Sequence, residues 1–150
     1  MPVFKTNQLV KIDIERCWEF FSDPKNLVYI TPPEMNFKIL FPDPMPSMYP
    51  GMIISYRISP LIKIRMEWIT EITHISKPHY FIDNQLKGPY SLWHHQHHFE
   101  VVPEGVMMTD TVTYTLPMGK IGQLIAGWFI RKKIISIFEH RRNVIDKTFI

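Results

Sequence analysis

The sequence has a single cysteine, Cys17, so no disulfide can form within the chain, and a reducing compartment, by default the cytoplasm, fits best. It has no excess of one charge. Seventeen Lys and Arg against fourteen Asp and Glu leave a formal net charge of +3. The densest basic run, Arg131-Lys132-Lys133, reads as a solvated helix face, whereas a nucleic-acid binder shows a basic face or stripe. Nucleic acid is therefore not an expected partner. No apolar stretch approaches the ~20 residues of a membrane span, which argues against stable membrane insertion. Residues 1–17 lack a basic segment followed by an apolar core, so no secretory signal is expected. Repeats, low-complexity tracts and linkers are absent as well. No pattern calls for a cofactor or a metal, and the oligomeric state is left open.

What is present suits one globular domain spanning residues 1–150. The chain is long enough for one sizeable core, and 45% of its residues are hydrophobic against 21% charged. Thirteen prolines punctuate it. Pro32-Pro33 closes an early helical region, Pro42, Pro44 and Pro46 mark a loop, and Pro60, Pro78, Pro89, Pro103 and Pro117 fall between apolar runs. Because proline cannot donate to a sheet ladder, this spacing marks turns between strands.

The expected order starts with a strand over 3–12. A short helix follows, capped by Asp13 and carrying Trp18 and Phe21 on its apolar face. Ser22-Asp23-Pro24 then starts a second short helix that ends near Ile30. Strands are expected over 36–41, 52–59, 63–75, 80–87, 92–102 and 106–116. Alternation sorts their faces. Ile64, Met66, Trp68 and Ile72 share one side, and Lys63, Arg65, Glu67 and Glu71 the other. Val106, Met108, Val112, Tyr114 and Leu116 likewise oppose Thr109, Thr111, Thr113 and Thr115, as in an antiparallel sheet with one buried face. Residues 121–149 lack both proline and alternation and predict one long helix. Its expected stripe is Ile121, Leu124, Ile125, Trp128, Ile135, Phe138 and Ile145, with Lys132, Lys133, Glu139 and Arg142 largely elsewhere. A helix with that much apolar surface must pack on the concave face of the sheet.

The stretch from Phe81 to Tyr114 is the most informative about function. A short turn at Pro103-Glu104 pairs Val102 with Gly105, placing His97 opposite Asp110, His95 opposite Val112 and Trp93 opposite Tyr114. The Gly88-Pro89 turn brings Phe81, Asp83 and Gln85 beside Trp93, His95 and His97, while His94 and His98 point outwards. The inner face thus gathers Asp83, Gln85, His95, His97 and Asp110 among aromatic rings. Buried imidazoles and carboxylates are costly unless they bond one another. Three readings follow: a self-satisfied network that fixes the strands, a polar anchor in an apolar pocket, or a site for catalysis or metal. His95 and His97 at i and i+2 with Asp110 have the donor types for zinc, and a His–Asp pair can act as a general base. No second signature supports either, and Cys17 reads as a small core residue rather than a nucleophile.

Spaced motifs extend across the chain: Phe81-x-Asp83-x-Gln85-x-x-Gly88-Pro89-Tyr90-x-x-Trp93-x-His95-x-His97-x-Phe99, then Asp110-x-Val112-x-Tyr114-x-x-Pro117-x-Gly119, then Ile137-Phe138-x-x-Arg141. This pattern resembles a bacterial branch of the SRPBCC superfamily, the group related to START lipid-transfer domains and polyketide cyclases. The resemblance covers essentially the whole chain. It implies an α+β helix-grip fold, a curved antiparallel sheet of six or seven strands around a long C-terminal helix, with two short helices after the first strand. It also implies a hydrophobic cavity between sheet and helix. No catalytic pattern of the cyclases carries over residue by residue.

The leading expectation is a non-enzymatic binder or carrier of a small hydrophobic molecule. Its pocket would be lined by Trp68, Trp93, Phe99, Met108, Tyr114, Leu124 and Trp128, with Asp83, Gln85, His95, His97 and Asp110 as polar contacts. An alternative is an enzyme on a cyclic or polyketide-like substrate that moves a proton with a pair drawn from His95, His97 and Asp110. A second alternative is a protein–protein module whose contact surface includes exposed apolar residues over 45–49.

Overall fold

The computed structural model describes residues 1–40, 44–60 and 64–150. Strand β1 (Val3–Val10) leads into helix α1 (Ile14–Phe21). The Asp13 side chain caps α1 by accepting from the Arg16 amide at 2.9 Å, which satisfies a donor that has no partner within the helix. Asp23 likewise accepts from the Lys25 amide at the start of a 3-10 turn, Pro24–Asn26, that runs on into α2 (Leu27–Ile30). A second 3-10 turn, Pro33–Met35, ends at Asn36, which sits in the left-handed region at φ 48°.

The rest of the chain is a meander followed by a helix. Strands β2 (Lys38–Ile39), β3 (Ile53–Ile58), β4 (Met66–Ser76), β5 (Tyr80–Lys87), β6 (Leu92–Val102) and β7 (Gly105–Thr115) precede helix α3 (Gly119–Thr148). The seven strands form one antiparallel sheet in the order β1-β7-β6-β5-β4-β3-β2, with β1 added at the β7 edge. The architecture is an α+β helix-grip fold.

Register follows from the turn and the alternation, as the sequence predicts. Val102 pairs with Gly105, His97 with Asp110, His95 with Val112 and Trp93 with Tyr114. Along β7 burial alternates without interruption, and Val106, Met108, Asp110, Val112 and Tyr114 are all buried. One half of the core packs Trp18, Phe81, Phe99, Met108 and Ile145 together, and the other packs Tyr114, Ile130, Ile134 and Phe138.

Three expectations need correction. The segment predicted over 36–41 pairs only at Lys38–Ile39, with Phe41 outside the described residues. The strand predicted over 63–75 begins at Met66; Lys63 lies outside the described residues, and Ile64 is exposed rather than on the buried face. The largest change concerns α3. Ile121, Leu124, Ile125 and Trp128 face solvent, and the buried face is Gly127, Ile130, Ile134, Phe138 and Ile145. The first half of α3 is apolar on two opposite sides, so periodicity alone does not choose between them.

Candidate functional site

Facing strand residues converge on the concave side of the sheet. Asp83 pairs with His95 between β5 and β6, and Phe81 pairs with His97. With His97 opposite Asp110 on β7, two imidazoles and two carboxylates meet on three adjacent strands. His97 is held at both ring nitrogens: Nε2 donates to Asp83 Oδ2 at 2.8 Å, and Nδ1 is 3.1 Å from Asp110 Oδ1. His95 Nε2 donates to the same Asp110 Oδ1 at 2.8 Å, while its Nδ1 stands 3.8 Å from Asp83 Oδ2. A carboxylate can only accept, so each nitrogen bonded to one carries a proton. Flanked by carboxylates at both nitrogens, His97 is arranged as an imidazolium, and His95 as the neutral Nε2–H tautomer.

Electrostatics leads to the same assignment. Burial works against a charged His97, yet hydrogen bonds to Asp110 and Asp83 outweigh it and raise its pKa. Burial and the neighbouring His97 lower that of His95. Both carboxyls are held below their ordinary range: burial opposes this, and the histidine bonds and charges overcome it. Arg141, on the facing side of α3, lies close enough to Asp83 and Asp110 for their charge to act on it. With His97 and Arg141 cationic and both aspartates anionic, the cluster is neutral overall, the state that costs least in a low-dielectric interior. The His97 ring lies between Phe81, stacked at 4.0 Å, and His95 at 3.7 Å. The Phe81 face adds a cation–π contact to the imidazolium.

The pH dependence of this site has a definite sign. A histidine whose folded pKa is raised contributes stability that is fully present below its unfolded value of about 6.5 and is lost as pH rises through the folded value. The stability advantage of the wild type over His97→Gln, read by urea denaturation at matched pH, should therefore be largest in mild acid and shrink in alkali. An advantage that instead grew as pH rose would show that His97 is buried neutral, and one constant with pH that folding does not shift its titration.

A partly enclosed cavity of about 160 Å³ lies beside this cluster. The cavity is lined by sheet residues such as Ile54, Tyr56, Trp68 and Ile72, by Leu27 and Met35 from the early helical turns, and by Ile134, Ile137, Phe138 and Arg141 from α3. Its size matches the roughly 150 Å³ apolar cavity that admits benzene in an engineered protein. Asp83, His95 and His97 form its polar wall, with Arg141 across from them. Arg141 Nε is buried with no hydrogen-bond partner, and the guanidinium lies over the Phe138 ring at 4.8 Å.

Five residues expected in the pocket do line it: Trp68, Asp83, Trp93, His95 and His97. Asp110 stands behind the histidines as their common acceptor, almost wholly inaccessible. Gln85 instead clasps the turn, with its Nε2 donating to the Tyr90 carbonyl at 2.7 Å and its Oε1 accepting from the Tyr90 amide. Phe99, Met108 and Tyr114 fill the core rather than the cavity wall. Leu124 and Trp128 are 89% and 72% exposed, so their expected place in the lining is overturned by the rotation of α3. The expected contact surface at 45–49 is also largely used internally: Met45 and Met48 pack against the core, and Tyr49 stays half exposed.

Sequence reasoning did not assign Arg141, Tyr90 or Ile134 to the pocket. The signal was the i, i+4, i+8 series Ile130, Ile134, Phe138, whose face Arg141 shares one turn on. As for other chemistry, donor atoms of Asp83, His95 and His97 fall within 4.8 Å of one another, the residue types of a metal site. To ligate, however, His97 would have to give up a proton that it donates to a carboxylate, which leaves only His95 Nδ1 and Asp83 ready as donors. Cys17 is buried, with its thiol pushed up to about 12, mainly by burial and also by the nearby Asp13, which makes it inert as a nucleophile.

No protein-family model and no functionally curated protein matches the sequence. Solved structures do match. A protein from Mycobacterium smegmatis superposes with a TM-score of 0.67 at 17% identity, covering 97% of this chain and 92% of that one. A solution structure from Arthrobacter aurescens gives 0.71 at 15% identity, covering 97% and 86%. The major latex-like protein 151 of ginseng, Panax ginseng, gives 0.71 at 13%, covering 99% and 97%. At these identities the likeness is one of fold, and it places this chain among structures of helix-grip architecture along nearly its full length.

Proposed function

We propose that the protein binds and carries a small hydrophobic molecule in the cavity between the sheet and α3, as a member of the SRPBCC superfamily. The cavity itself carries the reading: a partly enclosed, mostly apolar space with a few polar groups on one wall is the usual anatomy of a small-molecule site. Arg141 sets the polar contact. Its Nε is a buried donor unmet by the protein, so a ligand with a carbonyl or carboxylate oxygen on an apolar body suits it. The histidines support binding more than proton transfer, because both nitrogens of His97 are engaged with carboxylates and, among the described residues, the cavity lining includes no serine or cysteine.

Native mass spectrometry of the purified protein, followed by denaturing extraction, tests this directly. A discrete added mass released on unfolding is expected. Ile137→Trp, which places an indole in the cavity from the α3 side, should abolish it while the fold survives. A ligand held at about a hundred times its Kd stabilises by about 2.7 kcal/mol, so the extracted compound should raise Tm by about 5–10 °C. A clean apo mass, together with no thermal shift across apolar acids, ketones and phenols, would sink the carrier reading.

A further inference from the structure

The first half of α3 presents a surface that the fold itself does not use. Ile121, Leu124, Ile125, Trp128 and Phe129 are 59%, 89%, 76%, 72% and 49% exposed. At 100° per residue these five positions fall on one side of the helix, opposite Ala126, Gly127 and Ile130, which pack inward. Met118, 72% exposed, adds to the same end at the β7–α3 junction. Leu86 and Leu92, beside the β5–β6 turn, are exposed at that end of the sheet too. Isolated exposed apolar residues are ordinary, but a contiguous set of this size marks an interaction surface.

Its charge selects the partner. Residues 119–133 contain Lys120, Arg131, Lys132 and Lys133 and no aspartate or glutamate. Lys120 and Arg131 border one edge of the apolar arc, Lys133 borders the other, and Lys132 lies over the Trp128 ring at 4.0 Å. An arc of Trp, Phe, Leu and Ile edged only by cations is the composition of a helix that lies in the plane of a bilayer interface. There the apolar side enters the acyl boundary and the Lys and Arg heads meet anionic headgroups. A tryptophan with an amphipathic ring suits the same depth. None of the described helices is long and apolar enough to cross a membrane, so the contact is peripheral.

We infer that the N-terminal half of α3 is a docking surface for an anionic lipid bilayer. The cavity reaches the same end of the sheet through Pro60, Tyr90 and Trp93, so docking brings the pocket to the membrane surface. The docking itself does not depend on what the cavity holds.

Sedimentation with vesicles of phosphatidylcholine alone, and of phosphatidylcholine mixed with phosphatidylglycerol, is the test. The protein should partition roughly tenfold or more in favour of the mixed vesicles, and added salt should weaken this binding. The Leu124→Glu/Trp128→Glu variant should keep the wild-type far-UV circular dichroism, since both side chains are exposed, yet lose vesicle binding. Lys132→Glu/Arg131→Glu should lose the preference for the anionic lipid. Failure to bind either vesicle, or unchanged binding by the Leu124/Trp128 variant, would overturn the inference. So would a dimer in solution that the same variant dissociates, because the face would then be covered by a second copy of the chain.

Discussion

Replacing Asp110 by alanine should cost about 3–5 kcal/mol, the scale for removing one partner of a buried ion pair. In a chain of this length that is a Tm loss of about 10–15 °C. The size follows from what depends on a single oxygen. Asp110 Oδ1 accepts from His95 Nε2 at 2.8 Å and lies 3.1 Å from His97 Nδ1. Without it, one buried N–H loses its only bond, the imidazolium loses one of its two carboxylates, and the balance with Arg141 is broken. Asp110→Asn separates the causes: its amide oxygen can still accept from both rings, but the negative charge is gone. Its loss should be smaller, and the raised pKa of His97 should fall with it. The wild-type advantage over Asp110→Asn rests on a carboxyl whose folded pKa is depressed. It is therefore present above about pH 4 and lost as pH falls towards the folded value. Thermal melts of both variants near neutral pH, with the histidine titration followed by NMR, check this. Equal loss in the two variants would mean that charge, not hydrogen bonding, dominates the site.

Gly105→Ala should be nearly as damaging, though it touches no polar group. Gly105 closes the β6–β7 turn at φ +146°, where a side chain is strained, and a Cβ there would press into the carbonyl oxygen of Val10 on β1. That backbone cannot easily yield, because Val10 is paired with Val106 in the ladder. Strain of this kind costs about 1–3 kcal/mol, and the clash places the expected loss at the upper end, a Tm drop of about 6–12 °C. Gly51→Ala is the control: φ is +89° but nothing lies within 4 Å of its would-be Cβ, so strain acts alone. Equal losses at the two positions would show that the contact with Val10 is irrelevant. The turn also matters to the site, because the Val102–Gly105 pair sets the register that places His97 across from Asp110. Displacing it should shift the histidine resonances as well as the melting point.

The strands and the cluster were legible for a local reason. Side chains in a strand alternate with period two, so a two-residue turn and the positions of apolar residues jointly fix which residues share a face. From these, the placement of Asp83, His95, His97 and Asp110 on one inner face could be read, whereas the contacts of both histidines with Asp110 came from the structure. Capping at Asp13 was legible for the same reason, since the interaction spans three residues. The rotation of α3 was not. Its first half offers two apolar sides, and only packing against β7 and the early helices chose the one with Ile130 and Ile134.

That choice had consequences in both directions. It turned Leu124 and Trp128 outward and brought Ile137 and Arg141 to the cavity. The sequence by itself determined the element order, the register of β6 with β7 and the composition of the polar wall, because each depends on neighbours along the chain or across one turn. Only the tertiary structure decided which face of the helix closes the cavity, because that depends on how well a whole surface fits another, and no local period encodes it.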